Sequence, residues 1–510
     1  MFRHSYKLIR LRAPLRQFGR GVLCFGILQS AGLSAWADDF TVAPTIGFQE
    51  TYTSNSGGNG ATSTADLVTQ VTPAVSLDET GPWSSITLNY SPTYNKYDFH
   101  TSPDRIDQNF NSTVSVTPSE EHLKIDFAAY ASEEGATPNS NTISNNLLIA
   151  TNNRVLFYAG SVTPHFSQRF GDVATIEAYY RLKSSNTSDQ SVRAPGSASL
   201  SNDSLQQDPE IIIGSGESFG RLSAQADFDH SNTTASGAGG ASSNDRYTLG
   251  GQYHLTYDYS LTGSIGYQRI HYAATTGSSA YTNEGLTWNA GIAITPDPTK
   301  SLSVSYGLQE GIYVPTVKLS YSIGPRTSIV GSYVVTIQNE LEAALQNLQY
   351  LAYDSAGNPI DSRTGLPFSL LNQSFGSQNV LFRDKPAQLS LVHQLERSAI
   401  TLRLLYDARS AVSGPPSTET VSQVDIGYNR QLSDKTTASF DVGYTRNVFG
   451  GLSVTGGSQD TLLNASVSFF WTLSSTATIS VTGTFFEPLS NAATAGTASN
   501  QVVLGFRKQL

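Results

Sequence analysis

Eight histidines are spread over 510 residues, and seven of them lie beyond residue 37: His100, His122, His165, His230, His254, His271 and His393. Zinc sites draw His and Cys ligands from short, fixed spacings, and no two of these histidines stand at one. The only cysteine, Cys24, sits in the leading segment, so the remainder can form neither thiolate metal sites nor disulfides. The densest ligand-like group is Asp227-Phe228-Asp229-His230. It reads as a metal clasp or as the solvated edge of a Ser/Gly loop, and the loop edge is the expectation. Serines abound, but none has the strand-to-helix setting of a nucleophile elbow. The Gly-rich stretch 236–244 lacks the lysine and the helix of a phosphate loop, so it reads as a loop tip. No enzyme activity and no cofactor is expected.

A second set of polar residues has a different regularity. Lys124, Asp126, Glu177, Arg181, Arg221, Asp227, His254, Arg403, Asp407, Asp425 and Asp441 alternate with apolar neighbours at a period of two. That is the spacing of one face of a β-strand. Buried in a dry core such charges are costly, whereas facing water they are not. They imply either a hydrated passage lined by charges of both signs, or a ladder of cross-wall ion pairs that fills and braces an interior.

The elements that carry them follow from the apolar partners. Residues 1–37 read as an export leader: Arg3, Lys7, Arg10, Arg12, Arg16 and Arg20, then an apolar stretch from Gly21 to Leu33, then Ala35-Trp36-Ala37 as the cleavage site. Without those six cations, the 31 Lys and Arg fall to 25 against 41 Asp and Glu, a balance of −16. That balance excludes nucleic acid as an expected partner. Charged residues make up 14% of the chain, against about 25% in ordinary soluble domains. No apolar run beyond the leader is long enough for a helical span.

Instead, alternation runs to the last residue. Phe40, Val42, Ile46, Phe48 and Tyr52 share a face, as do Leu67, Val71, Val75 and Leu77, and later Trp288, Ile292 and Ile294. Connections alternate between short turns holding Asp, Pro, Gly and Lys and longer Ser/Gly/Asn/Thr loops. The pattern predicts an all-β fold: a single transmembrane antiparallel β-barrel of about 22 strands, within a range of 20 to 24, over residues 38–510. No plug domain is expected before the first strand. An even strand number puts both termini on the periplasmic side of the cell outer membrane. The last strand keeps Val502, Leu504, Phe506 and Leu510 on one face, as barrel assembly machinery requires, with Leu510 where an aromatic is usual. Lipid and lipopolysaccharide are the expected surroundings.

One connection departs from the rhythm. In 338–386, Leu341, Leu345, Leu348 and Leu351 recur at helical spacing. This predicts a long, partly helical extracellular loop that folds into the lumen, caps its mouth, or stays on the surface.

Several segments in order resemble the outer-membrane barrels associated with PEP-CTERM and exopolysaccharide loci, within the putative β-barrel porin group. They are Thr51–Asn55 (TYTSN), Val71–Leu77 (VTPAVSL), Tyr257–Tyr272 (YDYSLTGSIGYQRIHY), Thr287–Gly311 (TWNAGIAITPDPTKSLSVSYGLQEG) and Pro386–Leu391 (PAQLSL), with the helical loop after Ile337. The resemblance implies a role in surface-polysaccharide export or envelope assembly and supplies no active residues. The expected function is therefore a porin-like passage or export component for polysaccharide or another hydrophilic solute. The alternative is a non-conducting structural or docking barrel of an envelope secretion system.

Overall fold

The computed structural model describes residues 39–55, 64–135, 154–189, 203–235, 240–274, 279–338, 340–353, 359–362, 381–413, 417–450, 458–489 and 498–510. The leader, and the expectation that no plug precedes the first strand, concern residues outside these.

Twenty-two wall strands, all antiparallel to their neighbours, make one sheet. In order they are β1 (Asp39–Thr53), β2 (Asp66–Thr80), β3 (Ser84–Tyr90 with Thr93–Tyr97), β4 (Arg105–Asp107 with Asn109–Ser119), β5 (Leu123–Gly135) and β6 (Arg154–Phe170). Then come β7 (Ala174–Asp189), β8 (Asp203–Ser215), β9 (Leu222–Ala235), β10 (Ser242–His254), β11 (Tyr259–Tyr272) and β12 (Tyr281–Asp297). Next are β13 (Lys300–Gln309), β14 (Ile312–Ile323), β15 (Thr327–Tyr333 with Thr336–Gln338), β16 (Phe382–Gln394) and β17 (Ser398–Ala411). The last five are β18 (Thr418–Ser433), β19 (Thr436–Gly450), β20 (Ser458–Ser474), β21 (Ala477–Pro488) and β22 (Ser499–Gln509).

The sheet closes on itself. β1 pairs with β2 along its whole length and with β22 from Thr45↔Gln509 to Thr53↔Gln501, so no edge is left unpaired. Closure is what allows such a sheet to sit in hydrocarbon, where an unmet backbone group has no water to turn to. Strands spaced at about 4.8 Å and tilted by about 40° give twenty-two of them a backbone radius of about 22 Å.

One face of the sheet is apolar and exposed. Phe40, Val42, Phe48 and Tyr52 on β1, Leu261, Ile265 and Tyr267 on β11, and Val502, Leu504 and Phe506 on β22 are each more than one-third exposed. The register sets these residues side by side around the wall, for example Phe48 opposite Phe506 and Leu261 opposite Ile292. A belt of this extent is untenable in water and is the surface a bilayer covers. Aromatics mark its two rims: Tyr247, Tyr267, Tyr306 and Tyr444 toward the long loops, and Tyr253, Tyr259, Phe469 and Trp471 toward the short turns. Tyr259 and Tyr267 lie eight residues apart on β11. That is about 27 Å along the strand and about 20 Å along the axis, close to the thickness of an outer-membrane apolar band.

Short turns such as 171–173, 298–299 and 434–435 gather at one end, together with Asp39 and Gln509. Longer connections gather at the other, with one exception. β13 passes to β14 through Glu310-Gly311 alone, both at positive φ (53° and 75°). Strands also reach further toward the long-loop end than apolar alternation indicates. Stretches 133–152, 185–205 and 231–245 read as loops in the sequence, yet β5 runs to Gly135, β7 to Asp189, β8 starts at Asp203 and β10 at Ser242. Above the apolar band both faces meet water, so the ladder continues while the pattern stops. For the same reason the loop read as 338–386 spans 339–381 between wall strands.

Candidate lumenal site

The interior is built from the other face of each strand, and the register identifies it. Ten of the eleven charged or His residues singled out above have strand positions whose parity is opposite to that of the apolar belt, and Arg221 lies in the turn before β9. Lys124 and Asp126 sit on β5, 3.0 Å apart. Glu177 and Arg181 sit on β7, with the Tyr179 hydroxyl donating to Glu177 (2.7 Å) and Tyr179 itself stacked on His165 at 4.1 Å. Arg221 and His254 lie at the short-turn end, where the His254 N–H donates to the Arg221 carbonyl (2.9 Å). On the far side, Arg403 of β17 stands opposite Asp425 of β18, and Asp441 of β19 opposite Gly427.

Two patches gather most of this charge. On β7–β10, Asp208 is opposite Arg181, Glu210 opposite Asp229, and Asp229 opposite Arg246. Arg181 is bonded to Glu210 and lies 3.6 Å from Asp208, and Arg246 donates to Asp229 at 2.8 Å. Four carboxylates (Asp208, Glu210, Asp227, Asp229) thus meet three cations (Arg181, Lys183, Arg246). On β16–β19, Arg409 donates to Glu419 at 2.6 Å and lies over the Phe382 ring at 4.1 Å. Beside it are Asp384 and Asp407, and nearer the short turns Asp425 and Asp441 flank the other cation, Arg403. Asp407 is 6% exposed, and its Oδ1, like that of Asp384, has no hydrogen-bond partner among the described residues. Both patches carry an excess of carboxylate.

Alternation also dissolves the Asp227–His230 group. Asp227 and Asp229 face inward, whereas His230 faces the other way and pairs with Asp245 of β10. Among the described residues no group of three acidic, His or Cys side chains is placed to hold a metal ion. Gly216-Glu217-Ser218-Phe219-Gly220 has the residue spacing of an esterase elbow but forms a 3₁₀ turn between β8 and β9, without the helix that an elbow needs.

The helical loop enters this interior. α1 (Glu340–Asn347) continues as a 3₁₀ turn, Leu348–Tyr350, and then a small hairpin, Leu351–Tyr353 with Pro359–Asp361. Ala344, Leu348 and Leu351 pack on Tyr130, Phe157 and Ala159, inward residues of β5 and β6. At the other end of α1, Glu342 accepts hydrogen bonds from Ser242 of β10 and from the Tyr272 hydroxyl of β11 (2.9 Å). The helix therefore bridges two stretches of wall five strands apart. Nearby, Glu310 is half-buried in its tight turn. Burial pushes its carboxyl up to about 7, against the pull of the Ile337 N–H, Arg383 and Arg246.

Sequence reading found Arg181 and Asp227 but missed Lys183, Asp208, Glu210, Asp229 and Arg246. Following inward parity two residues past each chosen one recovers Lys183 and Asp229. The rest stood in stretches whose polar composition hid the strand.

No family model matches the sequence, and no curated protein matches it. Solved structures do match. The FrpB iron transporter from Neisseria meningitidis (F5-1 variant, apoprotein form) superposes with a TM-score of 0.52 at 10% identity, over 94% of this chain and 82% of that one. Its F3-3 variant gives 0.52 at 9% identity, over 92% and 82%. BauA, the ferric preacinetobactin receptor from Acinetobacter baumannii, gives 0.50 at 10% identity, over 92% and 81%. The chain has the outer-membrane β-barrel fold. At such identities the likeness is one of architecture, and it accords with the closed wall and the apolar belt.

Proposed function

We propose that this barrel is a passage across the outer membrane for hydrophilic solutes, with its short-turn rim and both termini toward the periplasm. The observation that carries the reading is the inward face itself, where charge is concentrated in two patches that a dry interior would penalise. Side chains reaching about 6 Å inward from a backbone radius of about 22 Å leave a bore about 30 Å wide. The bridge made by α1 cuts off a segment at one side of such a bore. The resemblance to exopolysaccharide-associated barrels supports a polysaccharide as the solute and an export apparatus as a partner. Lipopolysaccharide around the belt, and assembly machinery reading β22, complete the expected surroundings.

Purified protein in planar bilayers should give discrete single-channel steps. A silent barrel would refute the passage and favour the second reading, a docking scaffold. The ion pairs Arg181–Glu210 and Arg409–Glu419, which brace neighbouring strands, support that reading.

A further inference from the structure

Beneath α1 lies a cavity of about 410 Å³ whose chemistry neither the passage nor the scaffold uses. The register arranges its wall as two rows across four strands. Ser115, Asp126, Thr163 and Arg181 form the row nearer the short turns, and Thr113, Ala128, Ser161 and Lys183 the one above it. Leu345, Leu348 and Leu351, with Gln349 among them, face it from the helical loop.

Two features give this cavity a preference. First, Lys183 is 5% exposed, and its nearest carboxylate, Asp208, stands 3.8 Å away, beyond hydrogen-bond reach. A buried ammonium held only by so long an ion pair is under-compensated. Arg181, the other cation of the lining, is already bonded to Glu210. Second, the cavity is two-sided, with hydroxyls along the wall and leucines opposite. Water satisfies the first side and not the second.

We propose that this cavity binds a small organic monocarboxylate, its carboxylate on Lys183 and the Ser161 hydroxyl and its short apolar tail against Leu345, Leu348 and Leu351. A single negative charge matches the single lysine. A dianion would meet Asp208 and Asp126 with no second cation to offset it. The wall residues Thr163 and Thr113 give the bound molecule further hydrogen-bonding positions. Binding of this kind stands whether or not the barrel conducts, because it needs only the seated helix and the wall.

The test uses the full chain in detergent and titrates butyrate and butylammonium, equal in length and opposite in charge, by isothermal calorimetry. Butyrate should bind saturably and butylammonium should not. Lys183→Met should weaken butyrate by about tenfold or more, the loss of one charge-assisted hydrogen bond in a buried site. Ser161→Leu fills the cavity from the wall while leaving the lysine, and should also abolish binding. It serves as the deciding variant if Lys183→Met does not give a heat-modifiable barrel. Equal binding of the two probes, no saturable butyrate binding, or butyrate binding indifferent to both variants would overturn the proposal. Silence in the bilayer with butyrate binding intact would instead remove the passage and leave the site.

Discussion

Releasing α1 from its seat is the perturbation that most directly separates the roles of helix and wall. Leu348 is 1% exposed and Leu345 fully buried, with Leu348 packed on Tyr130 and Phe157. Leu348→Ala removes the side chain nearest the centre of that contact, at a cost of about 2–5 kcal/mol for a buried leucine. If the seat opens as a local unit, 2 kcal/mol raises the open population about thirtyfold. With Cys24 as the only native cysteine, a Cys24→Ser background carrying Ala344→Cys reports opening through maleimide labelling, which should accelerate by about that factor or more. The effect on current should be small. Twenty-two strands make the circle, and the helix ties β5 and β6 to β10 and β11, an arc of about 80° whose chord cuts off about a tenth of a circular bore, or about a fifth with the helix's own width. Single-channel conductance of a 341–352 deletion should therefore rise by about ten to twenty per cent, and that of Leu348→Ala by no more than that. A several-fold rise would show that α1 lies across the axis rather than against the wall. Unchanged labelling would show that something other than these leucines holds it.

Three further outcomes follow from other parts of the wall. A Cβ on Gly307 would lie 2.0 Å from the Trp288 carbonyl oxygen, a backbone atom that cannot yield. Gly307→Ala should therefore part β12 from β13 and abolish the heat-modifiable folded band on gels, and retention of that band would contradict the register. Glu310, with its carboxyl pushed up to about 7 from an ordinary 4.5, keeps in the folded state a proton that the unfolded chain releases. Stability should then fall as pH rises from about 4.5 through 7, by about 3 kcal/mol in all, and Glu310→Gln should flatten the change in urea midpoint between pH 5 and pH 8. The carboxylate excess of both patches predicts a cation-preferring current. In a KCl gradient the reversal potential should take the sign of potassium, and Asp407→Asn with Asp425→Asn and Asp441→Asn should move it toward zero; a chloride-preferring wild type would refute the charge count.

What could be read in the chain, and what could not, divides along the two faces of the wall. The outward face answers to one solvent, so Phe48, Ile265 or Val467 declares its strand without knowledge of any partner. Strand number and closure follow from that face. The inward face answers to whatever is opposite. Asp425 was visible because it interrupts apolar neighbours, whereas Asp208 and Glu210 stand in QQDPE, where nothing apolar alternates. Their role depends on Arg181, nearly thirty residues earlier, and only the β7–β8 register brings them together.

α1 shows the same division inside one element. Its leucines announce a helix because a period near 3.5 is foreign to a chain of period two. Their destination was not legible, because Tyr130 and Phe157 are inward aromatics that look like any others until the barrel closes around them. An apolar helix face gains nothing from a wall face of charges and hydroxyls. That this one finds Tyr130, Phe157 and Ala159 on adjacent strands, with Glu342 held by hydroxyls at its other end, makes the wall and the loop one packed unit. Replacing Tyr130 by Ser should then unseat the helix as effectively as Leu348→Ala does. The Ala344→Cys labelling rate measures it, and a normal rate in that variant would break the link between wall and helix.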